Sequence, residues 1–166
     1  SLGQGLSIGL GMALGMRLDN EPGRVYVLMG DGEIAEGQIW EAAMAAASFK
    51  ADNLVGILDK NNLQATGRIK DRMDSGDLRA KWEAFGWHVL EIDGHNMPEI
   101  LAALDEADGI KGRPTLILMH TVKGKGLSFA EDNAAYHNAP LTEGDYNRAM
   151  CELAEQEEGS KWQPRT

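Results

Sequence analysis

Two apolar runs of the chain each end in polar residues that could bind a cation. Asp31 follows the run 25–29, and Asn61 follows the run 54–58. If both runs are parallel strands, their carboxyl ends meet at the sheet edge where ligands of open α/β sheets bind. Carboxylate, amide and backbone carbonyl oxygens are the ligands that Mg²⁺ or Ca²⁺ prefers, often together with phosphate oxygens. We therefore predict a site for a divalent cation and a diphosphate, with Asp31 and Asn61 as metal ligands.

Glycines flank Asp31 and let the backbone come close to a diphosphate. In the segment Gly30–Glu33, the N–H groups of Gly32 and Glu33 are predicted to face that diphosphate. Gly-Asp-Gly also makes a good turn and Asn-Asn a good loop, so each segment alone has an ordinary structural explanation. The two segments together, separated by one predicted helix and one predicted strand, favour a functional site.

Apolar and helical segments alternate along the chain. This alternation predicts an α/β fold with a mainly parallel sheet flanked by helices. The predicted strands are 24–29, 53–58, 87–92 and 114–119, and the predicted helices are 5–18, 36–49, 77–85 and 98–107. Residues 121–137 are predicted to form a long loop, and loops of that length are often functional. The length suits one domain, which we assign to residues 1–154, followed by a polar tail at 155–166.

Composition limits the partners of the chain. Its 16 Lys and Arg stand against 26 Asp and Glu, a formal net charge of −10. This balance argues against nucleic acid or an anionic membrane as a partner, but not against a phosphorylated ligand.

Other features concern the location and extent of the chain. One cysteine, Cys151, allows no internal disulfide and is typical of a reducing, cytoplasmic location. The apolar stretch 2–16 is shorter than the roughly 20 residues of a membrane span. Because the chain begins without Met inside a glycine-rich element, we expect it to be a fragment.

The combined motifs resemble one family. Gly30-Asp31-Gly32, followed by 28 residues and then Asn61-Asn62, resembles the thiamine diphosphate motif. The segment 36–43 (EGQIWEAA) narrows the resemblance to transketolases. Further similar blocks lie at 1–7, 81–87, 93–95, 120–126 and 137–140. The resemblance covers about residues 1–150 and is strongest to the N-terminal subunit of split transketolases, whose pyrophosphate-binding domain is a separate polypeptide.

The resemblance implies a role for each matching residue. Asp31 and Asn61 match the side-chain ligands of the metal, and Leu63 matches its backbone carbonyl ligand. Gly32 matches a contact to the diphosphate. Its neighbours Gly30 and Glu33 are expected to line the cofactor as well. Leu2 matches a residue that packs on the thiazolium ring.

Two further residues are implied to be catalytic. Glu36 matches a buried glutamate near the dimer interface, and His137 matches a histidine close to the diphosphate and the substrate. Each has a plainer alternative: Glu36 as a salt-bridging residue on a helix surface, His137 as an exposed loop histidine. For Lys123 and Lys125 two interpretations stand side by side: contact with a sugar phosphate, or a solvated basic loop. His95 follows a predicted turn and is most simply a structural residue.

The resemblance also implies a function. A transketolase moves a two-carbon ketol unit from a ketose phosphate to an aldose phosphate, as in the pentose phosphate pathway, with thiamine diphosphate as the electron sink and Mg²⁺ or Ca²⁺ holding the diphosphate. A pyrimidine-binding domain or subunit completes such a site. We therefore expect the chain to be an oligomer component that is inactive alone and to lack the family's N-terminal region.

Two other functions fit part of the pattern. Another thiamine diphosphate enzyme, such as deoxyxylulose-phosphate synthase or the alpha subunit of a 2-oxoacid dehydrogenase, shares the glycine-rich and asparagine-rich strand ends. A non-catalytic assembly subunit would keep the fold without the chemistry. The segment 36–43 favours a transketolase over the other enzymes, and intact Asp31, Asn61 and Glu36 argue against a scaffold.

Overall fold

The computed structural model describes residues 2–159, and its framework is a four-stranded parallel sheet in the order β1-β2-β6-β5. The sheet strands are β1 (Val25–Gly30), β2 (Leu54–Lys60), β5 (His88–Asp93) and β6 (Thr115–His120). The main helices are α1 (Gln4–Leu18), α2 (Gly37–Ser48), α4 (Leu78–Ala84) and α5 (Met97–Gly109). These bounds agree with the predicted elements to within two residues, and the predicted α/β class is confirmed.

Apolar residues on both faces of the sheet explain why helices flank it. The central strands β2 and β6 are buried along most of their length and become more exposed at their carboxyl ends, as expected of parallel strands covered on both sides. On one face, α1, α2 and α4 contribute to the larger core, in which Trp82 packs between Trp40 and Trp87. On the other face, α5 buries Ala103 and Ala107 against the middle of the sheet.

The strand register brings the carboxyl ends to one edge. Gly30 pairs with Asp59, and His120 pairs with both Lys60 and Asp93. The segments that leave these strands must therefore begin side by side. This register carries the residues after β1, β2 and β6 to a common site.

Besides short 3₁₀ turns, such as Glu33–Ala35, four elements were not predicted from the sequence. They are the antiparallel hairpin β3 (Leu63–Gln64) and β4 (Gly67–Arg68), the single helical turn α3 (Ile69–Arg72), and the long helix α6 (Glu143–Gly159). The 121–137 segment is a loop, as predicted, except that its last residues form a 3₁₀ turn at Ala134–His137. Residues 155–159 of the predicted tail continue α6, and the rest of that tail lies outside the described residues.

The helices of the described chain differ from membrane spans. Within residues 2–159, no helix combines the length and the apolar character needed to cross a bilayer.

Helix α1 lies unusually close to β1. A Cβ built on Gly9 would overlap a methyl group of Val27, whereas a Cβ built on Gly11 would meet no atom within 4 Å. Gly9 is buried and Gly11 is exposed. The two glycines thus have different functions in the fold, although both sit inside the same helix.

This difference predicts opposite effects of adding one methyl group. Gly9→Ala should lower the free energy of unfolding by about 1–2 kcal/mol, because overpacking outweighs the gain in helix propensity. Gly11→Ala should raise it by up to about 1 kcal/mol, because only the propensity changes. Urea unfolding followed by circular dichroism measures both. Equal shifts for the two variants would contradict the close approach of α1 to β1.

Candidate cofactor site

An open cavity of about 410 Å³ lies at the carboxyl edge of the sheet. All of the residues predicted for the site, except Glu36, line this cavity: Leu2, Gly30, Asp31, Gly32, Glu33, Asn61, Leu63 and His137. Five further residues line it that the motifs do not identify as cofactor ligands: Asp59, Gln64, Ala65, Thr66 and Lys123, the last of which is a predicted candidate for contact with a sugar phosphate. The tertiary structure therefore gathers segments from four separate parts of the chain around one space.

Asp31 is a buried carboxylate at the inner wall of this cavity, with only 4% of its surface exposed. The N–H of Asn62 donates a hydrogen bond to Asp31 Oδ2, and the N–H of Asp31 donates to the carbonyl oxygen of Asp59 at 3.1 Å. Burial raises the pKa of the Asp31 carboxyl above its usual range. The bond from Asn62 opposes that rise, and the negative charge of Asp59 adds to it. A cation at Asp31 would relieve both unfavourable effects.

Asn61 is oriented by its neighbours. Its side-chain N–H donates to Asp59 Oδ2 at 3.2 Å, and its Oδ1 accepts from the N–H of Leu63 at 3.0 Å. Thr121 in turn donates its hydroxyl to Asp59 Oδ1. Asp59 is therefore a positioning residue for Asn61. The only sequence signal for it was its place at the end of the second apolar run.

The Glu33 side chain has a structural role, in addition to the cofactor contact predicted for its backbone N–H. Its carboxylate accepts hydrogen bonds from the N–H of Gly3 at 2.8 Å and from the N–H of Gly30 at 3.1 Å. It thereby ties the start of α1 to the end of β1. Local spacing does not reveal this role, because the partner Gly3 lies 30 positions away in the sequence.

The loop after β6 supplies the opposite wall of the cavity. His137 and Lys123 both reach the cavity, and His137 is exposed. His95 accepts a hydrogen bond from the N–H of Val122 at 2.8 Å, which supports its structural role. Lys125 instead pairs with Glu131 at 3.5 Å.

Glu36 is exposed in the single chain, at the residue that precedes α2. The burial that the resemblance implies for it lies near a dimer interface and so involves a partner chain. Its side chain lies against Gly3, where an added Cβ would approach Glu36 Cβ to 2.8 Å. No part of the described chain covers it, so burial of Glu36 would require another domain or polypeptide.

Known proteins share this sequence and fold. The family of the transketolase, thiamine diphosphate binding domain, matches residues 1–158. The chain belongs to this family. Among its relatives, a 6-deoxy-6-sulfo-D-fructose transketolase subunit of Clostridium sp. (strain MSTE9) is 47% identical over 92% of this chain and 56% of its own length. An apulose-4-phosphate transketolase subunit of Phocaeicola vulgatus is 44% identical over 93% of this chain and 55% of its own length.

Solved structures agree with the family. The crystal structure of transketolase from Campylobacter jejuni superposes with a TM-score of 0.85 at 32% identity, covering 92% of this chain and 25% of that one. The chain thus spans about half the length of the curated subunits that it matches and about a quarter of this transketolase. The matches support the transketolase prediction over the synthase and dehydrogenase alternatives, and they identify this transketolase domain as one that binds thiamine diphosphate.

Burial of Asp31 predicts a pH-dependent stability difference. A raised pKa means that the native state holds a proton at a pH where the unfolded chain has already lost it. Stability from this group is therefore highest below the ordinary aspartate pKa and falls as the pH rises through the raised value. Asp31→Asn removes the charge and keeps an oxygen acceptor for Asn62, so the metal-free variant should be more stable than the wild type at pH 7.

Chemical unfolding between pH 4 and pH 8 measures this difference. The stability advantage of Asp31→Asn should grow with pH, whereas Asp105→Asn, at an exposed position on α5, should show no such growth. An advantage for Asp31→Asn that stays constant over this range would rule out a titrating, buried carboxyl as its cause.

Proposed function

We propose that this chain forms the diphosphate- and metal-binding half of a transketolase active site. The observation that carries the proposal is the convergence of Asp31, Asn61 and Leu63 at one cavity beside a glycine-rich strand end. The complete enzyme would transfer a two-carbon ketol unit from a ketose phosphate to an aldose phosphate. Thiamine diphosphate supplies the electron sink for this carbon–carbon cleavage when it is bound.

The donor atoms suit a hard divalent cation such as Mg²⁺ or Ca²⁺. Asp31 would offer a carboxylate oxygen, Asn61 its amide oxygen and Leu63 its backbone carbonyl, and diphosphate oxygens would complete the shell. Within residues 2–159, no three His, Cys, Asp or Glu side chains are grouped to bind a metal by themselves. Beyond the Asp31 carboxylate, a cation here would therefore depend on amide, carbonyl and phosphate oxygens, which links its binding to that of the diphosphate.

Other residues of the cavity would contact the organic part of the cofactor or the substrate. Leu2 offers an exposed apolar side chain for the thiazolium ring. Lys123 and His137 offer positive charge or a hydrogen bond to phosphate groups from the opposite wall. At Gly32 a Cβ would lie 3.0 Å from Gln64 Cβ, so glycine keeps the space between the strand end and the hairpin open.

A partner would complete the site. The cavity is open, Glu36 is exposed against Gly3, the neighbour of the cavity-lining Leu2, and the similar Clostridium and Phocaeicola proteins carry the word subunit in their names. We therefore propose a pyrimidine-binding transketolase subunit or domain as the partner, with Glu36 at the contact, in an oligomer that acts in the cytoplasm on sugar phosphates.

The cofactor part of the proposal predicts metal-dependent binding. The chain should bind thiamine diphosphate in the presence of Mg²⁺, and Asp31→Ala should weaken this binding by at least about tenfold, because a charged metal ligand is lost. Asp105→Ala removes an exposed carboxylate on α5 and should bind as the wild type does. Isothermal titration calorimetry with and without Mg²⁺ measures the affinity. Equal affinity with and without the metal would exclude the proposed metal ligands.

The transferase part predicts that activity requires the partner. The chain alone should give no turnover, whereas the chain mixed with a pyrimidine-binding transketolase subunit should act on a ketose phosphate. Xylulose 5-phosphate with ribose 5-phosphate is the first pair to assay, followed by 6-deoxy-6-sulfo-D-fructose and apulose 4-phosphate, for which the two relatives are named. Glu36→Gln should reduce kcat of the complex by about a hundredfold or more, because the resemblance implies that Glu36 is a catalytic carboxylate at the contact with the partner.

Matched controls separate these outcomes. Glu21→Gln changes an exposed glutamate before β1, at the opposite end of that strand from the cavity, and should leave kcat unchanged. Glu36→Gln should leave thiamine diphosphate binding by the chain alone unchanged. Cofactor binding without turnover in the presence of any partner subunit would favour the assembly-subunit alternative.

A further inference from the structure

Besides the strand ends that hold Asp31, the cavity has two outer walls, which come from distant parts of the chain. One wall is the hairpin of β3 and β4, which contributes Leu63 and the turn after it. The other is the loop at 121–137, which contributes Lys123 and His137. Neither wall belongs to the central sheet, so contacts outside the sheet must set the distance between them.

An ion pair joins the two walls directly. Arg68, at the end of β4, contacts Asp132 through two parallel bonds: Nη2 to Oδ2 at 2.6 Å and Nη1 to Oδ1 at 3.3 Å. The pair spans 64 positions of sequence. A two-bond contact between a guanidinium and a carboxylate restricts orientation as well as distance, which a single charge contact does not do.

Each partner of the pair is directly linked to a residue that lines the cavity, Arg68 by strand pairing and Asp132 by a backbone hydrogen bond. Arg68 is the antiparallel partner of Leu63, whose carbonyl is a proposed metal ligand. The N–H of Asp132 donates to the carbonyl oxygen of Lys123 at 2.9 Å. Asp132 has a φ of 51°, so its backbone adopts the left-handed conformation that Asp and Asn tolerate better than most residues. A movement of either charged group would therefore be passed to a residue that lines the cavity.

We propose that Arg68 and Asp132 are a pair of positioning residues that holds the two cavity walls together and slows the release of thiamine diphosphate. The inference rests on the proposed function for its ligand, whereas the link between the walls is a property of the chain itself. Both side chains are about half exposed, so the pair is screened by solvent and salt. Its loss should therefore change rates by about two- to fivefold rather than by orders of magnitude.

Hydrogen exchange tests the link without any cofactor. In Arg68→Gln and in Asp132→Asn, the protection factors of the Asp132 and Ile69 amides, each corrected for the intrinsic exchange rate of the variant's own sequence, should fall about two- to fivefold, because each amide reports on one wall. Asp132→Asn retains a residue suited to the positive φ. The double variant should exchange no faster than either single variant, and added NaCl should reduce the difference from the wild type.

Cofactor release tests the consequence. With Mg²⁺ present, thiamine diphosphate should dissociate about two- to fivefold faster from each single variant than from the wild type, and no faster still from the double variant. Arg113→Gln is the matched control, because it removes the same charge at the amino ends of the strands, close to the start of β6 and away from the cavity at their carboxyl ends. It should leave both the exchange and the release unchanged.

The outcomes separate this inference from the proposed function. Unchanged exchange in both single variants, or fully additive effects in the double variant, would overturn the link whatever the cofactor does. Faster exchange with unchanged release would overturn the role in holding the cofactor. Faster exchange in a chain whose wild type binds no thiamine diphosphate would support the link between the walls and count against the proposed function of the isolated chain.

Discussion

Burial of the Asp31 carboxylate is the constraint to which the rest of the site is adapted. A carboxylate taken out of water loses solvation that the protein must replace with hydrogen bonds, charge or a cation. The N–H of Asn62 replaces part of it, and for this the chain after β2 must turn back toward β1 with Asn62 at a φ of 62°. The same turn presents Asn61 and Leu63 to the cavity. One buried charge thus accounts for the geometry of the proposed metal ligands.

The sheet and the segments outside it have separate functions. The parallel register brings the carboxyl ends together, and its stability comes from cores on both faces. The hairpin and the loop at 121–137 then enclose the cavity with polar contacts that are mostly exposed. A rigid edge thus holds Asp31, whereas the surrounding walls depend on weaker, solvent-screened bonds. Such a division suits a site that must admit a cofactor and then retain it.

Sequence patterns predicted the large elements well because each carries a long apolar signal. The strands β2 and β6 are continuous apolar runs, and α5 begins at a capping asparagine with Pro98 in its first turn. The two-residue strands of the hairpin are too short to show any period. Helix α6 has few apolar residues, and it is held to the loop by polar contacts such as Glu152 with Ser128. Periodicity does not detect such contacts.

The sequence by itself determined the fold class, the two strand ends and the family, because local composition and motif spacing carry that information. Only the tertiary structure decided the side-chain partners: Glu33 bonded to Gly3, Asp59 orienting Asn61, and Arg68 paired with Asp132. It also decided that Glu36 is exposed in this chain. The physical reason is that hydrogen bonds and ion pairs depend on distances of a few ångströms between residues. Chain folding sets those distances for residues far apart in sequence, and local spacing cannot.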